Sequence, residues 1–82
     1  MRSLPDVNRA FAEIDLPIEL VRGEGYHYFV YDDGTPTGFE TESVAVPYFN
    51  QMAPSRWHRD GLQFYLNTKA KLDARRNNGE PT

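Results

Sequence analysis

The sequence predicts an α+β domain of two layers, ordered α-β-β-β-α: a three-stranded antiparallel meander with both helices packed on one face. Three observations carry this. The run Tyr26-His27-Tyr28-Phe29-Val30-Tyr31 is too rich in bulky strand formers to sit comfortably in a helix. Turn signals bracket it, with Gly23-Glu24-Gly25 before and Asp32–Gly38 after. Apolar residues recur at helical spacing towards both ends of the chain. The 82 residues suit one domain, assigned to residues 1–76, followed by a disordered tail over 77–82.

The first helix is expected over residues 4–14. Ser3 serves as N-cap, Pro5 falls in the tolerant first turn, and Leu4, Val7, Phe11 and Ile14 form the apolar stripe. Pro17 lacks an amide hydrogen and forbids continuation. Strands follow at residues 18–22, 26–32 and 41–46, the last ended by Pro47. Residues 47–53 connect to a final helix starting near Pro54 and running to about Arg76. Its stripe is Trp57, Gly61, Phe64, Tyr65, Thr68 and Leu72. Gly61 among such large residues implies a close approach, expected to be to the sheet.

With Gly23–Gly25 as a three-residue loop, Arg22 pairs with Tyr26, Leu20 with Tyr28 and Ile18 with Val30. Ile18, Leu20, Tyr28 and Val30 then face the helices, joined by Val44 and Val46. The opposite face shows Glu19, Val21, His27, Phe29, Tyr31, Thr41, Ser43 and Ala45, with Phe39 at its margin. A two-residue turn would instead exchange the faces of one strand. The expected outer face is more aromatic than a solvated one, so Val21, His27, Phe29, Tyr31 and Ala45 are the expected partner-binding residues. The bland alternative is that the Asp32–Gly38 loop or residues 47–53 fold over that face.

Charge divides unevenly. Residues 1–53 balance to −6 and residues 54–78 to +4, within a total of −3. Arg56, Arg59, Lys69 and Arg76 on the last helix are candidate phosphate contacts, although the wheel spreads them over several directions. Basic residues also match a helix C-terminus without any ligand. Phe29 and Tyr31 could stack on bases, but Glu19, Asp32 and Asp33 would repel the phosphates.

No catalytic or metal site is expected, and no cofactor. The chain has no cysteine, so disulfides, thiol catalysis and thiolate metal sites are excluded. His27 and His58 are the only imidazoles and stand 31 residues apart. His58-Arg59-Asp60 spells a kinase catalytic tripeptide without the glycine-rich loop or strand lysine that it requires. Asp32-Asp33 opens a turn, and Glu40 and Glu42 share a strand face without a pocket to separate their pKa values. No apolar run reaches membrane-spanning length and no signal-peptide pattern opens the chain, so a cytoplasmic location is expected.

The stretches Val21-Arg22-Gly23-Glu24-Gly25-Tyr26-His27-Tyr28-Phe29, Thr41-Glu42-Ser43-Val44-Ala45-Val46 and Asn50-Gln51-Met52 with Trp57 resemble a group of short uncharacterised proteins encoded by phages and prophages of bacteria. The similarity spans roughly residues 4–72 and assigns no activity. It implies an accessory product of a mobile element in the bacterial cytoplasm, acting by binding a host or phage protein. The expectation is therefore a non-enzymatic interaction module that binds a protein partner or forms a homodimer. A nucleic-acid-associated regulator and an acidic inhibitor using Asp32, Asp33, Glu40 and Glu42 are the alternatives.

Overall fold

The computed structural model describes residues 1–79 and has the expected architecture: α1 Leu4–Glu13, β1 Ile18–Arg22, β2 His27–Asp32, β3 Phe39–Val44 and α2 Pro54–Gly79, with a one-turn 3-10 helix at Phe49–Gln51. The sheet order is β1-β2-β3 and both pairings are antiparallel. Of the tail expected over 77–82, residues 80–82 lie outside the described residues, while α2 extends beyond Arg76 to Gly79.

Helix α1 begins as its sequence dictates. The Ser3 hydroxyl accepts from the Asp6 amide, and Pro5 occupies the first turn. The helix stops one residue early. Ile14 is its C-cap, and Asp15 takes the left-handed conformation (φ 56°), so the amides of Asp15 and Leu16 fold back onto the Ala12 and Phe11 carbonyls. This turns Ile14 out of the expected apolar stripe, and it is exposed.

The β1–β2 connection decides which side chains are inside. Glu24-Gly25 forms a two-residue turn, closed by the Gly23 amide donating to the Tyr26 carbonyl at 2.9 Å, with Gly25 at φ 79°. Arg22 therefore pairs with His27, Leu20 with Phe29 and Ile18 with Tyr31. This is one residue away from the expected register, and it exchanges the two faces of β2. His27 (0% exposed), Phe29 (1%) and Tyr31 (3%) lie beneath the helices. Tyr28 and Val30, expected inside, lie on the other face and are half-buried. β3 keeps its expected faces, with Val44 towards the core and Thr41 and Ser43 away from it.

The core joins Val7 and Phe11 of α1, Ile18, Leu20, Phe29 and Tyr31 of the sheet, and Trp57, Phe64 and Leu72 of α2. Aromatic rings dominate it. Phe29 stacks on Phe64 (5.6 Å between centroids) and meets Trp57 edge-on, while Tyr31 stacks on Tyr65. Trp57 also stacks on Phe49, and its indole N–H donates to the Phe49 carbonyl at 2.8 Å, so residues 47–53 are tied to the helix side.

Gly61 does mark a close approach, but to α1 rather than to the sheet. A Cβ there would collide with the Phe11 ring, which is fully buried and stacked on His58. Gly61→Ala gains about 1 kcal/mol of helix propensity against an overpacking cost of about 1–3 kcal/mol. The variant is expected to be less stable in urea denaturation, and Phe11→Leu in the same chain should recover part of the loss.

Candidate functional site

The face of the sheet away from the helices carries Glu19, Val21, Tyr28, Val30, Thr41 and Ser43, with Phe39 at one end. Val21 sits opposite Tyr28 across the β1–β2 ladder, and Val30 follows two residues along. Tyr26 extends the band, its ring 5.8 Å from that of Tyr28. Val21, Tyr28 and Val30 are half-buried, whereas Tyr26 and Phe39 are 39% and 58% exposed. Neither connecting segment covers this face. Residues 47–53 pack on Trp57, and the loop after β2 is held towards α2 through Asp33 and Arg76.

Of the five residues expected to bind a partner, the structure leaves only Val21 on the open face of the sheet. His27, Phe29 and Tyr31 are core, because the two-residue turn reverses β2. Ala45 is exposed just beyond the end of β3. His27 is held between Trp57 (4.9 Å between ring centroids) and the Val46 carbonyl, to which Nδ1 donates at 2.7 Å; its Nε2 is buried without a partner. The residues that sequence reasoning missed are Tyr26, Tyr28 and Val30. The signal for them was the Glu24-Gly25 pair, whose glycine fits the second central position of a two-residue turn.

The two edges of the sheet differ. At β1, the Asn8 side chain of α1 behaves like a neighbouring strand: its Oδ1 accepts from the Leu20 amide at 2.7 Å and its Nδ2 donates to the Leu20 carbonyl at 2.9 Å. At β3, the Asp33 amide bonds to the Gly38 carbonyl, which sets the alternation of the ladder. Glu40, Glu42 and Val44 turn their backbone groups towards β2, while Phe39, Thr41 and Ser43 turn theirs outward. No other backbone group among the described residues meets them.

The helix cations are dispersed. Arg56 pairs with Asp60 and Lys69 with Asp73 along α2, Lys71 and Arg75 both reach Glu40, and Arg76 reaches Asp33. Arg59 makes no ion pair among the described residues. Arg56, Arg59, Lys69 and Arg76 are thus not gathered into one stripe for a phosphate backbone. Among the described residues no three His, Asp or Glu side chains gather in a metal-binding group. No helix among them is long and apolar enough to cross a membrane.

Asp32 and Asp33 hold the loop as turn aspartates do, accepting from the Gly34 and Thr35 amides. The Thr35 hydroxyl and amide hold the Asp33 carboxyl below the usual range, helped by the Tyr31 hydroxyl and Arg76. Burial, and then the Asp33 charge, push the Tyr31 phenol upward. A carboxyl lowered on folding stabilises the fold above its unfolded value, and that contribution disappears as pH falls through the folded one. Melting temperature should therefore fall more steeply below about pH 4 in the natural chain than in Asp33→Asn. Parallel profiles would show that this network contributes nothing.

No protein-family model, no curated protein and no solved structure matches the chain.

Proposed function

We propose that this chain is a non-enzymatic protein-interaction module that binds a partner protein through the open face of its sheet. One observation carries the reading: an apolar band, Tyr26, Tyr28, Val21 and Val30, with Phe39 at one end of the sheet, lies on a face that neither connecting segment reaches. An antiparallel sheet with one solvated face ordinarily alternates apolar-in with polar-out, and an apolar patch of this kind marks a docking surface. Glu19 and Asp32 border the band, and the first 53 residues balance to −6, so the favoured partner has a basic rim rather than being a second acidic copy. The phage resemblance supplies the setting, an accessory product of a mobile element working in the bacterial cytoplasm.

Photocross-linking in expressing bacteria tests this. A benzophenone side chain at Tyr28 is expected to give one discrete adduct with another protein, lost when Val30→Asp is added. The same group at Glu13, on the far side of the domain, should give none. Equal adducts from both positions, or an adduct indifferent to Val30→Asp, would contradict the reading. An adduct of twice the chain's own mass would replace the partner by a second copy.

A further inference from the structure

We infer that the free edge of β3 accepts an extended, cationic segment of the partner as a fourth strand. The inference rests on the reading of the chain as a protein-interaction module and names the chemistry of the segment that the partner offers. A six-residue strand with unpaired backbone groups is a template for another strand, and proteins normally blunt such an edge with charged side chains, proline, a bulge or a covering element. The only charges on β3 are the carboxylates Glu40 and Glu42, which guard against an acidic strand and not against a cationic one. The middle of the β1 edge is capped at Leu20 by Asn8. The β3 edge, Phe39-Glu40-Thr41-Glu42-Ser43-Val44, has no lysine or proline, pairs with β2 residue for residue without a bulge, and presents the outward N–H and C=O groups of Phe39, Thr41 and Ser43.

Charge selects what can pair there. Glu40 and Glu42 project from the helix side of β3. A two-fold antiparallel pairing with a second copy centred on Thr41 sets Glu40 against Glu42 twice. Centring it on Glu42 or on Glu40 sets that carboxylate against itself. Like charges directly opposite are destabilising, so these three registers disfavour self-pairing. A strand carrying Lys or Arg at alternate positions reverses the sign. Glu40 is already held by Lys71 and Arg75, whereas Glu42 has no cation among the described residues. Beside Glu42 lies a depression of about 270 Å³, lined by Phe29, Val44, Phe64, Gln63, Asn67 and Asp60. A lysine or arginine stem can lie along its apolar floor with the charged head on Glu42. The alternate residues of the added strand would fall on the other face beside Phe39, extending the apolar band.

The test titrates the isotope-labelled full chain with two capped heptapeptides, Thr-Lys-Val-Lys-Val-Lys-Thr and the same peptide with glutamate for lysine. The cationic peptide is expected to shift the Thr41 and Ser43 amides and slow their exchange, leaving that of Glu40 and Glu42 unchanged. The acidic peptide should bind about tenfold more weakly, and Glu42→Lys should invert the preference. Thr41→Pro deletes an outward N–H at no cost to the ladder and should abolish binding while the Phe29 and Leu20 resonances stay in place. Equal binding of both peptides, binding that survives Thr41→Pro, or no binding of either would overturn the inference. Perturbation confined to Val21, Tyr28 and Val30 would overturn it while supporting the open-face reading. The cross-link from Tyr28 reports failure of that reading separately.

Discussion

Phe29→Ala is expected to lower folding stability by about 3–5 kcal/mol, a large share of the roughly 4–12 kcal/mol that a chain of this size holds. The reason is position. Phe29 is 1% exposed, stacked on Phe64 and edge-on to Trp57, so its truncation opens a cavity between the sheet and α2. Phe39→Ala removes the same side chain from an exposed site and should cost no more than about 0.5 kcal/mol. Urea denaturation of the two variants reads the contrast. A Phe29→Ala chain as stable as the natural one, with its losses confined to association, would mean that β2 is reversed.

Asn8→Ala is the second large effect. One amide side chain completes both backbone groups of Leu20 at the β1 edge. Its truncation leaves a donor and an acceptor unpaired in a partly buried place, at about 1–2 kcal/mol each and about 2–4 kcal/mol together. Asn8→Asp separates the two: it keeps an acceptor for the Leu20 amide but turns a repelling oxygen on the Leu20 carbonyl, so it should recover only part of the loss. The variant should also expose a second sheet edge. Light scattering across a concentration series is expected to show association in Asn8→Ala that the natural chain lacks.

How much of this was legible in the sequence differs by element. Helix α1 was readable because Ser3, Pro5 and Pro17 act locally, through a cap, a preset φ and a missing amide. The strand content of Tyr26–Tyr31 was readable from side-chain shape. Its orientation was not, because a period of two carries no sign: both rows, Tyr28 and Val30 or His27, Phe29 and Tyr31, are apolar enough to be core. The turn supplied the sign. Counting Gly23-Glu24-Gly25 as a loop of three gives the wrong one, since Gly23 is bonded to Tyr26 across the turn and only Glu24-Gly25 lies between them. Asn8 was visible as a polar residue four positions after Leu4 on the buried stripe, but its partner in β1 is a tertiary fact. The open edge of β3 follows from strand order, which composition does not encode.

The account depends on the register of β1 against β2, and cross-strand nuclear Overhauser effects read it without any substitution. Leu20 and Phe29 form a non-hydrogen-bonded antiparallel pair, the geometry that brings α-protons closest, with Cα atoms about 4.5 Å apart. A strong Hα–Hα effect between Leu20 and Phe29, with a second between Ile18 and Tyr31, is the predicted result. Strong effects linking Val21 to His27 and Glu19 to Phe29, the close pairs of a three-residue loop closed by Arg22 and Tyr26, would contradict it, returning Phe29 and Tyr31 to the surface.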